Sequence, residues 1–553
     1  MKLVIVGGVA GGASAAARAR RLSEDAEILL IERGPDVSFA NCGLPYHIGD
    51  VIPQRDKLLV TTPERLRERF RLDVRTRSEV EAIDRRKKTV RVRDLNSGRV
   101  YEEGYDKLIL APGAAPIRPP TPGADLPNVY TLRNLADTDR IKALVDNGTK
   151  QAVIVGAGFI GLELAENFVH RGIATTVLDR NRQVLPPFDA EMTTPLLAAL
   201  DERGVEVLLG QTAESINPGP DGMAVTLTSG VTRTAQLVVL GVGVRPENAL
   251  AVQAGLEVGP RGGIRVNEYL QTTDPDIFAV GDVIETTEFG TGERTQVPLA
   301  GPANRQGRIA ADNVFGRKSR YRGTQGTAVL GFFGTTAAMT GLSEKALKRL
   351  GKPYRKVYVH PAHHAGYYPG AEGMSLKLLF DPATGKLFGA QGVGGAGVDK
   401  RIDVLAVAVQ AGMTVFDLEE MELCYAPQFG SAKDPVNMAG FVAGGLLRGD
   451  HPQSDWEAVA AMADKPLLLD VRTPLEFASG HIPDALNIPV DDLRSRLAEL
   501  PKDRPIVAYC QVGQRGYLAT RILMQAGFAV SNLGGGYKTY LLHTPTPPAR
   551  TTR

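Results

Sequence analysis

One structural unit occurs twice in the chain, and each copy constrains the fold. The first copy is a β-run at Lys2–Val6, the turn G-G-V-A-G-G, an Ala/Arg-rich helix and a second strand ending at Glu32. The second is a β-run at Gln151–Val155, the turn G-A-G-F-I-G, an amphipathic helix through His170 and a strand ending at Asp179. Glycines let the backbone approach a pyrophosphate, the helix N-terminus offers free N–H groups, and the terminal acid binds ribose hydroxyls. The sequence therefore predicts an α/β protein with two Rossmann-like dinucleotide-binding domains.

Length and charge limit the class of protein further. A chain of 553 residues predicts several globular domains. Its 64 basic and 62 acidic residues are spread along the chain, which gives no general field for nucleic acid or a membrane surface. No apolar stretch approaches the roughly 20 residues of a spanning helix, and no leader with a cleavage site is recognisable. Three widely spaced cysteines fit a reducing compartment. We therefore expect a cytoplasmic protein with no nucleic-acid or membrane partner.

Cys42 stands alone in the string S-F-A-N-C-G-L-P-Y, shortly after the first glycine turn. Because no second cysteine is close in sequence, a flavin beside Cys42 would have no local dithiol to work with. Its redox partner must then be a substrate thiol, a persulfide or an oxygen species. The other cysteines are Cys424, which we expect to be packed, and Cys510, which opens the loop C-Q-V-G-Q-R. Two sulfur sites on one chain predict sulfur chemistry.

The first glycine turn departs from the full G-x-G-x-x-G pattern, because Val9 occupies the second glycine position. Support for FAD comes from L-I-L-A-P-G at 108–113 and I-F-A-V-G-D at 277–282, where Asp282 could accept hydrogen bonds from a ribityl chain. With these motifs the chain resembles the flavoprotein disulfide reductase superfamily. The resemblance implies a split FAD domain, an inserted NAD(P)H domain and an α+β dimerisation domain that makes a homodimer. The implied boundaries are 1–115 with 250–322 for FAD, 116–249 for NAD(P)H and 323–445 for dimerisation.

Within the superfamily, the string around Cys42 and the first glycine turn resemble coenzyme A disulfide reductases and their persulfide-reducing relatives. NADH peroxidases and oxidases usually carry a histidine in the first turn, where this chain has Ala10. A peroxidase needs a proton donor beside its sulfenate, and alanine cannot supply one. The same resemblance covers H-A-G-Y-Y-P-G, which contains Tyr367, and C-Y-A-P-Q-F-G-S-A-K-D-P, which contains Tyr425.

The resemblance implies a mechanism in which hydride passes from the nicotinamide to FAD and electrons then reach a mixed disulfide on Cys42. Cys42 is the nucleophile, and we expect the flavin and a helix dipole to lower its pKa. Tyr367 and Tyr425 would orient the substrate or protonate the leaving sulfur, with Tyr425 contributed by the other subunit. The residues placed at the two cofactors are Gly7, Gly8, Ala10, Gly11, Gly12, Glu32, Arg33, Asn41, Val80, Ala111, Gly113, Asp282, Gly156, Gly158, Phe159, Ile160, Gly161, Asp179 and Gly243.

Basic residues on the first helix bear on coenzyme A binding. Arg18 and Arg21 fall on nearly one helix face, while Arg20 points elsewhere. The resemblance implies that CoA is contacted by an arginine here, by Ser38 and Asn41 before the redox cysteine, and by Lys433; the predicted set is Arg18, Arg21, Ser38, Asn41 and Lys433.

The choice of nicotinamide rests on Asp179. A carboxylate at this strand end binds both ribose hydroxyls of NADH and repels a 2′-phosphate. The adjacent Arg180 could accommodate such a phosphate, so NADPH use stays open. We expect NADH to be preferred.

A polar linker at 446–455 precedes a second compact α/β pattern at 456–548. Its signature across Leu467 to Pro489 resembles the rhodanese family. The loop from Cys510 to Arg515 follows C-x-x-x-x-R, and the N–H groups of Gln511, Val512, Gly513 and Gln514 could stabilise a thiolate or a persulfide. A tyrosine phosphatase would use one residue more, so the loop favours sulfur. We expect Asp470 and Arg472 to be structural.

These features predict a NADH-dependent reductase of CoA persulfide and polysulfide that also reduces CoA disulfide. Its partners would be small thiols, persulfides or disulfides, and CoA would be a substrate or a bound carrier. The alternatives are an NADH oxidase or peroxidase cycling through a sulfenic acid, and a sulfur-delivery or redox-sensing module. His363 and His364 lack further metal-ligand neighbours, so we expect no metal and a surface or substrate-side position for them.

Overall fold

The computed structural model describes residues 1–544, which form two compact units. The first unit joins Met1–Arg182 to Gly204–Gly326, and the second joins Gln183–Arg203 to the chain from Thr327 onward. The predicted rhodanese segment runs to residue 548, so its last part, 545–548, lies outside the described residues. Within residues 1–544, the helices are all too short or too polar to cross a bilayer.

The α-helices are numbered in chain order. They are α1 Ala10–Leu22, α2 Leu44–Ile48, α3 Pro63–Phe70, α4 Leu135–Asp146, α5 Phe159–His170, α6 Thr194–Glu202, α7 Ala249–Gln253, α8 Ala300–Val314, α9 Glu344–Arg349, α10 Val398–Ala411, α11 Val415–Glu420, α12 Pro435–Arg448, α13 Trp456–Ala461, α14 Pro474–Ala478, α15 Gln514–Gln525 and α16 Gly536–His543.

The strands of the first unit are numbered in the same way. They are β1 Lys2–Val6, β2 Glu27–Ile31, β3 Asp73–Arg75, β4 Ser78–Asp84, β5 Thr89–Asp94, β6 Val100–Gly104, β7 Lys107–Leu110, β8 Ala114–Pro116, β9 Val129–Tyr130, β10 Gln151–Val155, β11 Ala174–Asp179, β12 Glu206–Leu209, β13 Ala213–Gly219, β14 Gly222–Leu227, β15 Thr232–Ala235, β16 Leu237–Leu240, β17 Val244–Pro246, β18 Ile264–Arg265, β19 Ile277–Ala279, β20 Ile284–Thr287 and β21 Arg294–Thr295.

Two parallel sheets build the first unit. One has the strand order β19-β7-β1-β2-β3 and the other the order β12-β11-β10-β16-β9. The central strands β1 and β10 are almost wholly buried, which matches their continuous apolar sequence. Both strands have the predicted bounds, as does the end of α5 at His170, while β2 stops one residue before Glu32. The strands of each parallel sheet therefore end at the glycine turns that the sequence indicates.

The smaller sheets of the first unit are mostly antiparallel. The strand orders are β4-β5-β6, β13-β14-β15, β8 with β17, and β18-β20-β21. Helices α1 and α8 pack closely. This is shown at Gly307, where an added Cβ would lie 2.2 Å from the carbonyl oxygen of Gly11. This contact attaches a late segment, α8, to the helix of the first glycine turn.

The second unit contains two sheets. Its strands are β22 Ala328–Phe332, β23 Thr335–Gly341, β24 Arg355–Val359, β25 Met374–Phe380, β26 Leu387–Gly394, β27 Gln453–Ser454, β28 Leu467–Asp470, β29 Leu486–Asn487, β30 Ile506–Tyr509 and β31 Val530–Leu533. The antiparallel sheet β22-β23-β26-β25-β24 shares an apolar core with α10 and α12. The parallel sheet β27-β31-β30-β28-β29 carries Cys510 just beyond β30.

The segment 446–455, predicted as a linker, is partly regular structure. Helix α12 continues to Arg448, and β27 at Gln453–Ser454 pairs in parallel with β31. The C-terminal sheet therefore takes its first strand from within that segment.

Candidate active site

The two glycine turns are held by the same contact, although they lie in different sheets. The amide of Gly8 donates to Oε2 of Glu32 at 2.7 Å, and the amide of Ala157 donates to Oδ2 of Asp179 at 2.7 Å. Each acid comes from the end of the neighbouring strand, as predicted. Asp179 also accepts from the amide and side chain of Asn181, and it is buried. Both acids therefore fix the backbone of the turn they face.

One glycine in each turn, Gly12 or Gly161, is sterically required. A Cβ on Gly12 would lie 1.8 Å from the Gly7 carbonyl oxygen, and one on Gly161 would lie 1.9 Å from that of Gly156. Helices α1 and α5 begin without a side-chain cap and without an acid in their first turn. At Gly158, a Cβ would meet nothing within 4 Å, so this turn has open space beside it. Uncapped helix N-termini, first helical turns without an acid, and open space fit the pyrophosphate of a dinucleotide.

Cys42 lies in a short 3₁₀ turn, Asn41–Gly43, that leads into α2. The segment is attached to the first glycine turn, because the amide of Ser38 donates to the carbonyl of Gly8 at 2.8 Å. Cys42 is exposed and free, as an attacking thiol must be. The fold therefore places an exposed thiol on a segment attached to the first dinucleotide-binding turn.

The chain's own groups raise, rather than lower, the pKa of the Cys42 thiol. Loss of solvent around the sulfur is the main cause, followed by the negative charge of Glu163, with a smaller effect from Asp282. The predicted lowering of the Cys42 pKa is therefore not produced by these residues. The physical reason is that the nearby charged groups are carboxylates, which disfavour a thiolate.

Tyr46 and Glu163 are site residues that the sequence interpretation missed. The Tyr46 hydroxyl donates to Oε1 of Glu163 at 3.5 Å. Burial, opposed by the Tyr46 hydrogen bond, raises the pKa of Glu163 to about 7. Tyr46 follows Cys42 by four positions, so the spacing could have indicated it. Glu163 could not be found in this way, because it comes from the second dinucleotide-binding fold.

Asp282 lies in the 3₁₀ turn Gly281–Val283 after β19, rather than at the strand end itself. Burial raises the pKa of its carboxyl group, and Arg133 opposes this. Within the described residues its carboxylate has no hydrogen-bond partner. A partly buried carboxylate without a donor among the described residues fits a ligand hydroxyl, as predicted for FAD.

Other predicted cofactor residues lie around this turn in ordinary structural roles. Arg33 pairs with Glu247 at 3.0 Å, and the Asn41 amide donates to the carbonyl of Arg133 at 3.3 Å. Val80 is a buried residue of β4. Positive φ angles occur at Gly113 (76°) and Gly243 (116°), which flank β8 and β17.

Four of the predicted CoA residues belong to the first unit, and Lys433 belongs to the second. Arg18 is held by Asp312, with both Nε and Nη2 at 2.7 Å from Oδ1. Arg21 and Lys433 are exposed. Ser38 has a φ of 47° and lies beside the first glycine turn. Arg20 points elsewhere, as predicted, and donates to four backbone carbonyls.

The two predicted catalytic tyrosines meet in the second unit. Their hydroxyl oxygens lie 2.9 Å apart, and Tyr367 is 76% and Tyr425 50% exposed. The adjacent Cys424 is exposed, so its prediction as a packed cysteine is wrong. It lies in the irregular segment between α11 and α12, where no helix or strand among residues 1–544 covers it. His364, expected near the surface, is buried.

Cys510 lies at the end of β30, at the start of the predicted persulfide loop. Its sulfur accepts from the amide of Gly513 at 3.2 Å, and α15 begins directly afterwards at Gln514. Asp470 and Arg472 form a buried ion pair at 2.6 Å, which confirms their structural role. The loop is therefore built to place backbone N–H groups around an anionic sulfur.

A buried ionic cluster in the second unit was not found from the sequence. Nζ of Lys377 lies 2.9 Å from Asp189, 2.5 Å from Glu191 and 2.6 Å from Glu344. These three acids could hold a metal ion by geometry, but the ammonium group lies among them. Burial opposes its charge, yet Glu191 and Asp189 prevail and raise the pKa of Lys377.

The fold and site define an oxidoreductase class with two dinucleotide-binding folds and a fused sulfur-handling domain. Family models match at residues 1–307 (pyridine nucleotide-disulphide oxidoreductase), 327–435 (its dimerisation domain) and 455–543 (rhodanese-like domain). The chain belongs to the pyridine nucleotide-disulphide oxidoreductase family. This confirms the predicted fold class and the predicted kind of enzyme.

Several individual proteins are similar to this chain over most of its length. The chain is 37% identical to coenzyme A disulfide reductase of Staphylococcus haemolyticus, over 80% of this chain and 99% of that protein. It is similar to the crystal structure of reduced Bacillus anthracis CoADR-RHD, with 47% identity, a TM-score of 0.96 and 98% of each chain covered. It is also similar to a NAD-dependent persulfide reductase from A. fulgidus, with 36% identity, a TM-score of 0.92, and 98% and 100% covered. The last two cover both units.

Proposed function

We propose that the protein is an FAD-dependent, NADH-using reductase of CoA persulfide and polysulfide that also reduces CoA disulfide. The observation that carries this is an exposed Cys42 attached to a dinucleotide-binding turn, on a chain that also holds Cys510 in a loop of N–H groups. The named activities of the similar coenzyme A disulfide reductase and persulfide reductase support it.

The residues of the two glycine turns would hold the cofactors. Glu32 and Asp282 face FAD, and Asp179 faces the nicotinamide dinucleotide, while Arg180 leaves NADPH use open. When bound, FAD supplies the two-electron relay by which NADH returns a disulfide on Cys42 to thiolates. The protein contributes the shape of both turns and the donors and acceptors that fix each dinucleotide.

Cys42 performs the bond exchange. Its thiolate attacks the inner sulfur of CoA persulfide, so that a Cys42–CoA disulfide forms, the S–S bond of the persulfide breaks and sulfide leaves. With CoA disulfide the same attack releases CoA thiolate. Because Glu163 and loss of solvent disfavour the thiolate, the cationic or dipolar groups that promote attack must come with the bound cofactor and substrate.

Tyr367 and Tyr425 would protonate or orient the leaving sulfur. Their mutual hydrogen bond raises the pKa of Tyr367, so its phenol keeps its proton at neutral pH. We propose that the protein acts as a cytoplasmic homodimer in which this pair serves the Cys42 of the other subunit. The matching dimerisation domain at 327–435 supports the dimer.

The proposal is tested with cysteine variants under anaerobic conditions. Cys42→Ser should abolish NADH oxidation with CoA persulfide and with CoA disulfide. Cys510→Ser should impair only substrates that require sulfur transfer, such as polysulfide. Cys424→Ser is the matched control and should keep full activity, since this exposed thiol is assigned no step. Equal loss of CoA persulfide reduction in the Cys42 and Cys510 variants would contradict the assignment, as would faster reduction of oxygen than of persulfide.

A further inference from the structure

The arginine that closes the Cys510 loop is already paired within its own domain. Nη1 of Arg515 lies 2.8 Å from Oε2 of Glu476, and Nη2 lies 2.6 Å from Oε1. These hydrogen bonds lower the pKa of Glu476 to about 2, so the carboxylate is charged at any physiological pH. The two-point contact neutralises the cation that the loop motif supplies.

A second arginine beside the loop is also compensated. Arg472 donates to the side-chain oxygen of Gln511 at 3.0 Å, but Asp470 neutralises it. The amide of Lys538 donates to the Gln511 carbonyl, and the Lys538 side chain is exposed. Between Cys510 and Arg515 the loop residues are uncharged. The loop therefore offers an anionic sulfur the Gly513 amide and the Arg515 guanidinium, whose charge Glu476 already balances.

Two exposed leucines lie close in sequence to the Glu476–Arg515 pair. Leu475, next to Glu476 on α14, is 82% exposed, more than any other large apolar side chain described. Leu518 follows Arg515 by three positions on α15, so it lies on the same helix face, and it is 44% exposed. Exposed leucines at this point suit a ligand with a neutral stem.

We propose that Glu476, by neutralising Arg515, makes Cys510 selective for organic persulfides on a neutral stem and against small inorganic dianions such as thiosulfate. This inference rests on the proposed function, and it specifies the class of sulfur donor that Cys510 accepts. In the step, the Cys510 thiolate attacks the outer sulfur of R–S–S⁻. A new S–S bond forms on Cys510, the S–S bond between the inner and outer sulfurs of the donor breaks, and R–S⁻ leaves with no net oxidation.

A dianion meets a larger obstacle than a persulfide monoanion. Thiosulfate would bring two negative charges next to the Glu476 carboxylate, and the nearest guanidinium is already engaged. Glu476 is a positioning residue here, since it acts through Arg515. It also caps α14 by accepting from the amide of Thr473. Glutamine can serve at this capping position, so Glu476→Gln removes the charge and keeps the helix start.

The experiment measures sulfur loading of the full-length holoenzyme without NADH, by mass of the Cys510 peptide after exposure to thiosulfate or CoA persulfide. Wild type should load from CoA persulfide at least about tenfold faster than from thiosulfate. Glu476→Gln should raise thiosulfate loading about tenfold with little change for CoA persulfide, and Glu476→Asp should restore the wild-type ratio. Glu499→Gln, which breaks the exposed pair with Arg496, is the control and should change neither rate.

Thiosulfate loading of wild type that equals CoA persulfide loading would overturn the inference without any variant. An unchanged ratio in folded Glu476→Gln protein would overturn it as well. Because no NADH is present, these results do not depend on reduction at Cys42. Wild-type enzyme that loads sulfur on Cys510 normally but does not reduce CoA persulfide with NADH would instead contradict the proposed function.

Discussion

The hydroxyl oxygens of Tyr367 and Tyr425 lie 2.9 Å apart, which joins two motifs 58 positions apart into one exposed phenol pair. Neither tyrosine is needed for packing, because both are at least half exposed. A hydrogen-bonded pair can hold one phenol as donor while the other orients it. The pair is therefore the described group best suited to give a proton to a leaving sulfur.

Removing either hydroxyl should slow the chemical step. We expect Tyr367→Phe and Tyr425→Phe each to lower kcat with CoA disulfide by about 10²-fold, the usual size of a general-acid contribution. The double variant should be little worse than either single one, because the two act as a unit. Tyr368→Phe is the matched control, since that ring packs edge-on against His364. Additive losses in the double variant would exclude a joint role.

The Glu163 carboxylate should set the pH at which Cys42 reacts. Its charge helps to raise the pKa of Cys42, so Glu163→Gln should lower that pKa and shift alkylation by iodoacetamide to lower pH. The effect should be strongest above about pH 7, where Glu163 is mostly ionised. Peptide mapping of alkylated protein measures this, with and without FAD. Cys424 in the same samples is the internal control and should keep its profile.

Lys377 should be essential for the second unit. With its ammonium removed, Lys377→Met leaves three acids buried without their cation, at a cost of about 3–5 kcal/mol. Lys348→Met, which removes an exposed lysine paired with the same buried Glu344, should cost less than about 1 kcal/mol. Thermal unfolding compares the two. Similar small losses of stability in the Lys377→Met and Lys348→Met variants would mean that solvent or another cation compensates the three acids.

The same cluster predicts a pH dependence with a definite sign. Although burial opposes ionisation, Lys377 lowers the folded-state pKa of Glu191 and of Glu344. The unfolded chain then binds more protons than the folded one, so this stabilisation is complete above about pH 5 and is lost as the pH falls. In Lys377→Met the sign should reverse, and acidification should stabilise the variant. Tm measured between about pH 4 and 7 distinguishes the two cases.

One buried hydrogen bond should join the rhodanese-like domain to the antiparallel sheet. Nε2 of His360 and Oγ1 of Thr539 lie 2.8 Å apart, and burial lowers the pKa of His360 to about 3, so the ring is neutral. Thr539→Val leaves a buried ring nitrogen without a partner, which we expect to cost about 1–3 kcal/mol. In the control Thr520→Val, the buried hydroxyl that is lost has no partner within residues 1–544, so little change is expected. Equal effects of the two substitutions on Tm would show that the hydrogen bond between His360 and Thr539 does not stabilise the contact between the rhodanese-like domain and the antiparallel sheet.

The sequence revealed features that depend on local chain geometry. The glycine turns, the strands before them and the Cys510 loop are short segments whose steric needs limit them to a few residue types, so the bounds of β1 and β10 and the end of α5 were predicted to the residue. The structural role of Asp470 and Arg472 was equally local, since the pair is two positions apart.

Features that depend on distant segments were missed. The Lys377 cluster joins positions up to 188 apart, and the Glu476–Arg515 pair spans 39. The rise in the Cys42 pKa caused by the chain's own groups was missed, because it depends first on loss of solvent around the sulfur and then on Glu163 from the other dinucleotide-binding fold. Exposure of Cys424 depends on what covers an irregular segment, which no local pattern specifies.

The central claim is that Cys42 forms a covalent bond with the sulfur of a CoA substrate. Its most direct test is peptide mass mapping of the holoenzyme, mixed anaerobically with CoA disulfide before NADH is added. We predict a CoA adduct on the Cys42 peptide that disappears when NADH is supplied. An enzyme that turns over CoA disulfide while Cys42 stays unmodified, or that carries the adduct on Cys424 or Cys510 instead, would contradict the account.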